Sequence, residues 1–105
     1  MVTNTMMMTL SQMKALAQET SNQMSTHQRA ADTLHRELTA LRDAIVRDKD
    51  AGLSDTDFSV VEKTNQMTEL SRLHADHSCK ASDARIRLDA LRVAIEGAEE
   101  KEVAA

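Results

Sequence analysis

Two apolar stripes at 3-4 spacing, parted by one helix-stop and helix-start signal, decide most of what this chain can fold into. The first is Leu10, Met13, Ala17, Thr20, Met24, His27, Ala31, Leu34, Leu38, Leu41 and Ile45. The second is Val60, Lys63, Met67, Leu70, His74, His77, Ala81, Ala84, Leu88, Leu91, Ile95 and Ala98. Residues three and four apart share one face of a helix, so each stripe is a narrow a/d seam made to meet another helix. The chain has no proline and only two glycines in 105 residues, which leaves little to interrupt such helices. The fold class that follows is all-α.

The spacing predicts helix 1 over about Thr9 to Asp50 and helix 2 over about Asp55 to Lys101, with a turn at residues 51–54. Gly52 can take the left-handed conformation that closes a helix, and Ser54 is a good N-cap with Asp57 as its box partner. Leu53 and Phe58 fall at the two positions of a hydrophobic staple. A connection this tight forces the helices antiparallel, giving one helical hairpin domain over residues 1–105. Residues whose numbers sum to roughly 106 then face each other across the hairpin. Leu38 meets Met67, Met24 meets Ala81 and Ala17 meets Leu88, the last two pairs setting a large side chain opposite a small one. A lone hairpin buries one seam, and small folds of this kind usually need a further element. Ala30, Ala40, Ala44, Ala90 and Ala94 beside the seam widen the apolar face toward a four-helix bundle, completed by dimerisation or by a partner.

Composition narrows the function classes. Phe58 is the only aromatic residue, so a thick core built on large rings is not expected. A net charge of -4 and a pI near 5.5 argue against nucleic acid, which calls for a basic face to displace phosphate counterions. The one cysteine, Cys79, cannot close an internal disulfide and demands no oxidising compartment. The start of the chain reads as neither a signal peptide nor a membrane span. Cytoplasmic residence is the default expectation; leaderless export or incorporation into a secreted or viral particle would leave the same sequence.

Charge is unevenly spread. Lys14 and Glu19 are the only Lys, Arg, Asp or Glu residues in positions 1–28, which is little for a solvated helix. The expectation is an arm that packs on another chain, led by Met6, Met7 and Met8, methionine being adaptable at such contacts. The helix contacts expected to matter most are these three with Leu10, Met13, Met24, Leu38, Leu41, Ile45, Leu88, Leu91 and Ile95. At the other end, Glu96 to Glu102 is acidic where the helix dipole disfavours acids, so that end is expected to fray unless a basic group meets it.

His27, His74 and His77 all fall on the seam, and the hairpin would bring them to one level. Three imidazoles converging there could hold a zinc ion; a polar layer that fixes register is the plainer reading. Crowded imidazoles would also repel on protonation, which makes the layer a candidate pH response. Cys79 and Asp76 lie off the seam. Lys63, on the seam, is expected opposite Arg42 or Asp43. Arg85 and Arg87 with Asp83 and Asp89 read as a solvated flank.

Asp48-Lys49-Asp50-Ala51-Gly52 begins like a calcium loop, but its glycine comes one position early and Ser59 stands where a bidentate Glu is needed. Residues 27–45 and 77–95 align without gaps, with eight of nineteen positions identical. Five of the eight lie on the seam, where any two coiled coils look alike, so shared seam composition is weighed slightly above a true duplication; in a hairpin the two copies run in opposite directions rather than pairing. Nothing supplies a phosphate loop, a carboxylate pair in a pocket or a nucleophile with its base. The expectation is therefore a non-enzymatic protein-protein interaction or assembly protein without cofactor: a structural subunit, adaptor, chaperone or inhibitor of a larger machine, in a homo-oligomer or larger assembly. The alternative is a metal-binding or pH-responsive bundle using the seam histidines.

Overall fold

The computed structural model describes residues 8–104, which form two long helices packed as a hairpin, α1 (Leu10–Asp50) and α2 (Phe58–Ala104). Among the described residues there is no strand. Met6 and Met7, the first two methionines of the expected contact arm, lie outside the described residues.

Each helix end shows why it is where it is. At the start of α1 the Thr9 N–H donates to Gln12 Oε1 at 2.9 Å while the Gln12 N–H donates to Thr9 Oγ1 at 3.1 Å. That is a complete capping box, satisfying two amide groups that a helix start otherwise leaves open. At its end, Gly52 has φ 98°, the Leu53 N–H donates to the Asp48 carbonyl and the Gly52 N–H to the Lys49 carbonyl, both at 3.0 Å. These two bonds are a Schellman motif, and they depend on a left-handed residue at the glycine.

The start of α2 differs from the sequence expectation. The Ser54 N–H donates to Asp57 Oδ2 at 2.6 Å, one half of the expected box. The other half is replaced: the Asp57 N–H donates to the Ser54 carbonyl at 3.1 Å, and Ser54 Oγ bonds Thr56 Oγ1 at 2.9 Å. Residues 54–57 therefore form a separate tight turn, and the regular helix begins at Phe58, whose predecessor Asp57 accepts the first intrahelical bond from Val61 at 2.9 Å. Phe58 falls on the first helical position instead of the fourth, so the staple is not built and the ring stands 80% exposed.

Among the described residues the hairpin divides into two compact units, each drawing on both helices: one comprises residues 27–79 with the turn, the other residues 8–26 and 80–104. In the turn unit Ala31 and Val60 are buried, while Leu34, Leu38, Leu41, Ile45, Lys63, Met67 and Leu70 are half-buried. In the other unit Thr20, Ala81, Ala84 and Leu88 are buried, with Leu10, Met13, Ala17, Met24, Leu91, Ile95 and Ala98 half-buried. Every seam position read from the sequence is thus wholly or partly removed from water. Leu38 and Met67 border one surface cleft and Ala17 and Leu88 another, in keeping with the expected register. Of the flanking alanines, Ala30 and Ala44 are half-buried and Ala40, Ala90 and Ala94 are exposed.

The acidic end of α2 remains helical to Ala104. Lys14 Nζ meets Glu99 Oε2 at 3.2 Å, so one of the two charges of the sparse arm is spent on that end. Both side chains are about half exposed, which makes the pair a weak tie.

Candidate functional site

The four histidines form two pairs in the turn unit. His27 Nδ1 lies 2.9 Å from His77 Nδ1, with ring centroids 5.1 Å apart and ring planes tilted by 35°. His35 and His74 face each other with centroids 6.1 Å apart and planes tilted by 44°. The three imidazoles expected to converge, His27, His74 and His77, are therefore divided between two layers. Among the described residues no three His, Cys, Asp or Glu side chains gather as a metal would require. His35 went unread because it stands beside the seam residue Leu34 and is itself exposed; the ring reaches His74 from that flank. The fifty-residue offset also matters at one point: the crossing register sets His27 against its own counterpart His77, although the two similar stretches run in opposite directions.

A second polar group closes the turn end. Lys63 Nζ donates to Asp48 Oδ2 and to Ser59 Oγ, each at 2.6 Å, and Ser59 Oγ donates to the same Asp48 oxygen at 2.9 Å. Lys63 thus pairs with Asp48, not with Arg42 or Asp43, because the turn brings the last full turn of α1 against the second turn of α2. The Lys63 ammonium, and after it the Ser59 hydroxyl, holds the Asp48 carboxyl below the usual carboxylate range. Asp48, first residue of the apparent calcium loop, is committed to this contact.

A carboxyl held low in the folded state stabilises it above the unfolded value, and that contribution is lost as pH falls through the folded one. The window lies below about pH 4. Asp48→Asn is expected to flatten part of the acid limb of a urea-midpoint-versus-pH curve there and to lower the midpoint at neutral pH, since Lys63 loses its counter-charge. Adding Lys63→Met should recover part of the neutral-pH loss. An acid limb unchanged in Asp48→Asn would assign acid sensitivity to other carboxyls, Glu69 first, which Arg72 holds low on the exposed face of α2.

The third feature is an apolar strip in the open. Ile86, Ala90, Val93 and Gly97 follow 3-4 spacing on α2, and Ile86 and Val93 are 67% and 70% exposed. Leu88 lies two residues from both Ile86 and Ala90, roughly half a turn of helix away, so the strip occupies the face opposite the seam. The same periodicity that revealed the seam could have revealed it. Conversely, Leu10, Met13, Met24, Leu38, Leu41, Ile45, Leu88, Leu91 and Ile95 are occupied in the seam, and of the expected contact residues Met8 alone is both described and exposed. Cys79 is exposed, and Asp76 is exposed as well.

Among the described residues, surface hollows are open clefts lined by residues such as Glu96, Glu99, Glu100 and Val103, and no helix is long and apolar enough to cross a membrane. Comparison with protein-family models, with curated proteins and with solved structures finds no match.

Proposed function

We propose that this chain is a non-enzymatic assembly protein that acts by helix packing against other chains, as a structural subunit, adaptor, chaperone or inhibitor of a larger machine. The observation that carries this reading is the strip on α2: two β-branched residues about two-thirds exposed, with Ala90 between them, on the face that the seam leaves untouched. Scattered exposed hydrophobic residues are ordinary, but a run at helical spacing on one face is what a further helix packs against. The thin core supports the same reading, since half of the buried residues among those described are alanine and a small fold of this kind gains stability from added helices. Completion to a four-helix bundle by a second copy or a partner is the form this takes.

Light scattering on the purified protein, with and without chelator and beside its helical circular dichroism, tests the reading. A dimer or larger species insensitive to chelator is expected, and Ile86→Asp with Val93→Asp should reduce its mass with helicity retained. A wild-type monomer that melts cooperatively, with a transition unchanged by the two aspartates, would remove the basis for the proposal.

A further inference from the structure

The contact between His27 and His77 limits its own chemistry. Two neutral imidazoles can bond through their Nδ1 atoms only if one ring carries its hydrogen on Nδ1 and the other on Nε2. The 2.9 Å separation is that of a made hydrogen bond. The 5.1 Å between centroids leaves little more than a ring radius beyond each nitrogen, so the two atoms meet head-on along the bond. We propose that His27 and His77 are locked as opposite tautomers around one bridging proton, which ties α1 to α2 in the turn unit and is lost when both rings are protonated.

The proton count follows from the lone pairs. In the neutral pair the donor ring has a free Nε2 lone pair, while the acceptor ring has its Nδ1 lone pair in the bridge and a hydrogen on Nε2. A first proton from solvent takes the donor's free Nε2, and the bridge becomes a charge-assisted bond, which is stronger. A second proton can go only to the bridging lone pair. Both Nδ1 atoms then carry hydrogens pointed at each other, on two positively charged rings, and the contact opens.

The other two imidazoles of the turn unit, His74 on α2 and His35 on α1, face each other in the neighbouring layer. Arg29 and Asp32 on α1 and Asp76 and Lys80 on α2 stand exposed on the flanks. Protonation of the second layer adds positive charge and works in the same direction. Geometry also separates this device from a metal link. Two nitrogens this close that bind one tetrahedral ion, or cis positions of a square-planar one, aim their lone pairs at a point off the line between them, and both rings would have to turn to do so.

In acid the closed pair binds one proton fewer than the same two histidines in the unfolded chain. The unfolded state then holds more protons, so stability falls as pH falls. One excluded proton corresponds to a folding constant lower by up to about tenfold per pH unit below the range in which histidines of an unfolded chain take up protons.

Nitrogen-15 NMR of the histidine rings, followed from about pH 8 to about pH 5 through that range, tests this on the intact protein. At the alkaline end one of His27 and His77 should be the Nδ1–H and the other the Nε2–H tautomer. The pair should then take up its two protons in separate steps, the cross-helix contact persisting through the first and disappearing in the second. His27→Gln, whose amide can bond His77 but cannot take a proton, should lose at least half of the acid-induced drop in the logarithm of the folding constant. The same tautomer on both rings at the alkaline end, or two rings titrating independently, would overturn the proposal. So would equimolar zinc shifting both Nδ1 signals with loss of the bridging hydrogen, which would make the link a metal site. If His27→Gln fails to fold, the wild-type tautomers decide the matter alone.

Discussion

Leu88→Ala is expected to lower the free energy of unfolding by about 2–4 kcal/mol, while Ile86→Ala, two residues away, shifts it by less than about 0.5 kcal/mol at high dilution. The two side chains are isomers on opposite faces of one helix, and a hydropathy scale ranks them nearly alike. Leu88 is 3% exposed on the seam, whereas Ile86 points away from it and remains mostly in water. Removing a buried isobutyl group forfeits its transfer free energy and leaves a void whose cost depends on how far the site collapses. A seam only two helices deep relaxes more readily than a globular core, which places the loss toward the lower part of the usual range. For a fold of ordinary marginal stability this is a large fraction of the total. Urea denaturation of both variants checks the contrast. Equal losses at high dilution would mean that Ile86 is buried within the single hairpin. A loss at Ile86 that grows with protein concentration would instead show the outer strip buried in an assembly, because only association makes stability concentration-dependent.

The hairpin was legible in the sequence because two one-dimensional signals agree. Helical periodicity names the buried face, and the glycine and capping residues name the one place where the chain can reverse. Within α1 from Leu10 to Ile45 and within α2 from Val60 to Ala98 the seam positions are all buried or half-buried. What periodicity cannot supply is the position of a side chain around the flank of its helix. His35 lies beside the seam yet reaches His74, which turns an expected group of three histidines into two pairs. Asp43 was the acid expected to pair with Lys63, but the late start of α2 sets the lysine against Asp48. That late start was itself hidden, because Ser54 and Asp57 make a good box in sequence, and whether the box caps a helix or closes a separate turn depends on which Ser54 oxygen the Asp57 amide chooses. The outer strip follows the same 3-4 spacing, but a helix with one strong apolar face conceals a second, weaker one opposite it.

The same substitution at the two glycines is expected to act with opposite signs. Gly52→Ala should destabilise the hairpin by about 1–2 kcal/mol, and Gly97→Ala should stabilise it by about 0.5–1 kcal/mol. A methyl group at either position meets open space, with nothing within 4 Å, so packing does not enter and the backbone alone decides. Gly52 holds φ at 98°, where a Cβ crowds the adjacent carbonyl. The two Schellman bonds to Asp48 and Lys49 depend on that conformation, so the chain cannot move to a cheaper angle without giving them up. Gly97 lies inside α2 with ordinary helical dihedrals, and alanine there only removes freedom from the unfolded chain. Gly52→Asn, which tolerates the left-handed region better than alanine, should fall between wild type and Gly52→Ala. Thermal or urea midpoints of the three variants measure the ordering. A neutral Gly52→Ala would mean that the connection can adopt another conformation at no cost. The turn would then owe its geometry to the Asp48–Ser59–Lys63 contacts across it, and Gly52→Ala combined with Asp48→Asn would lose more than the two changes separately.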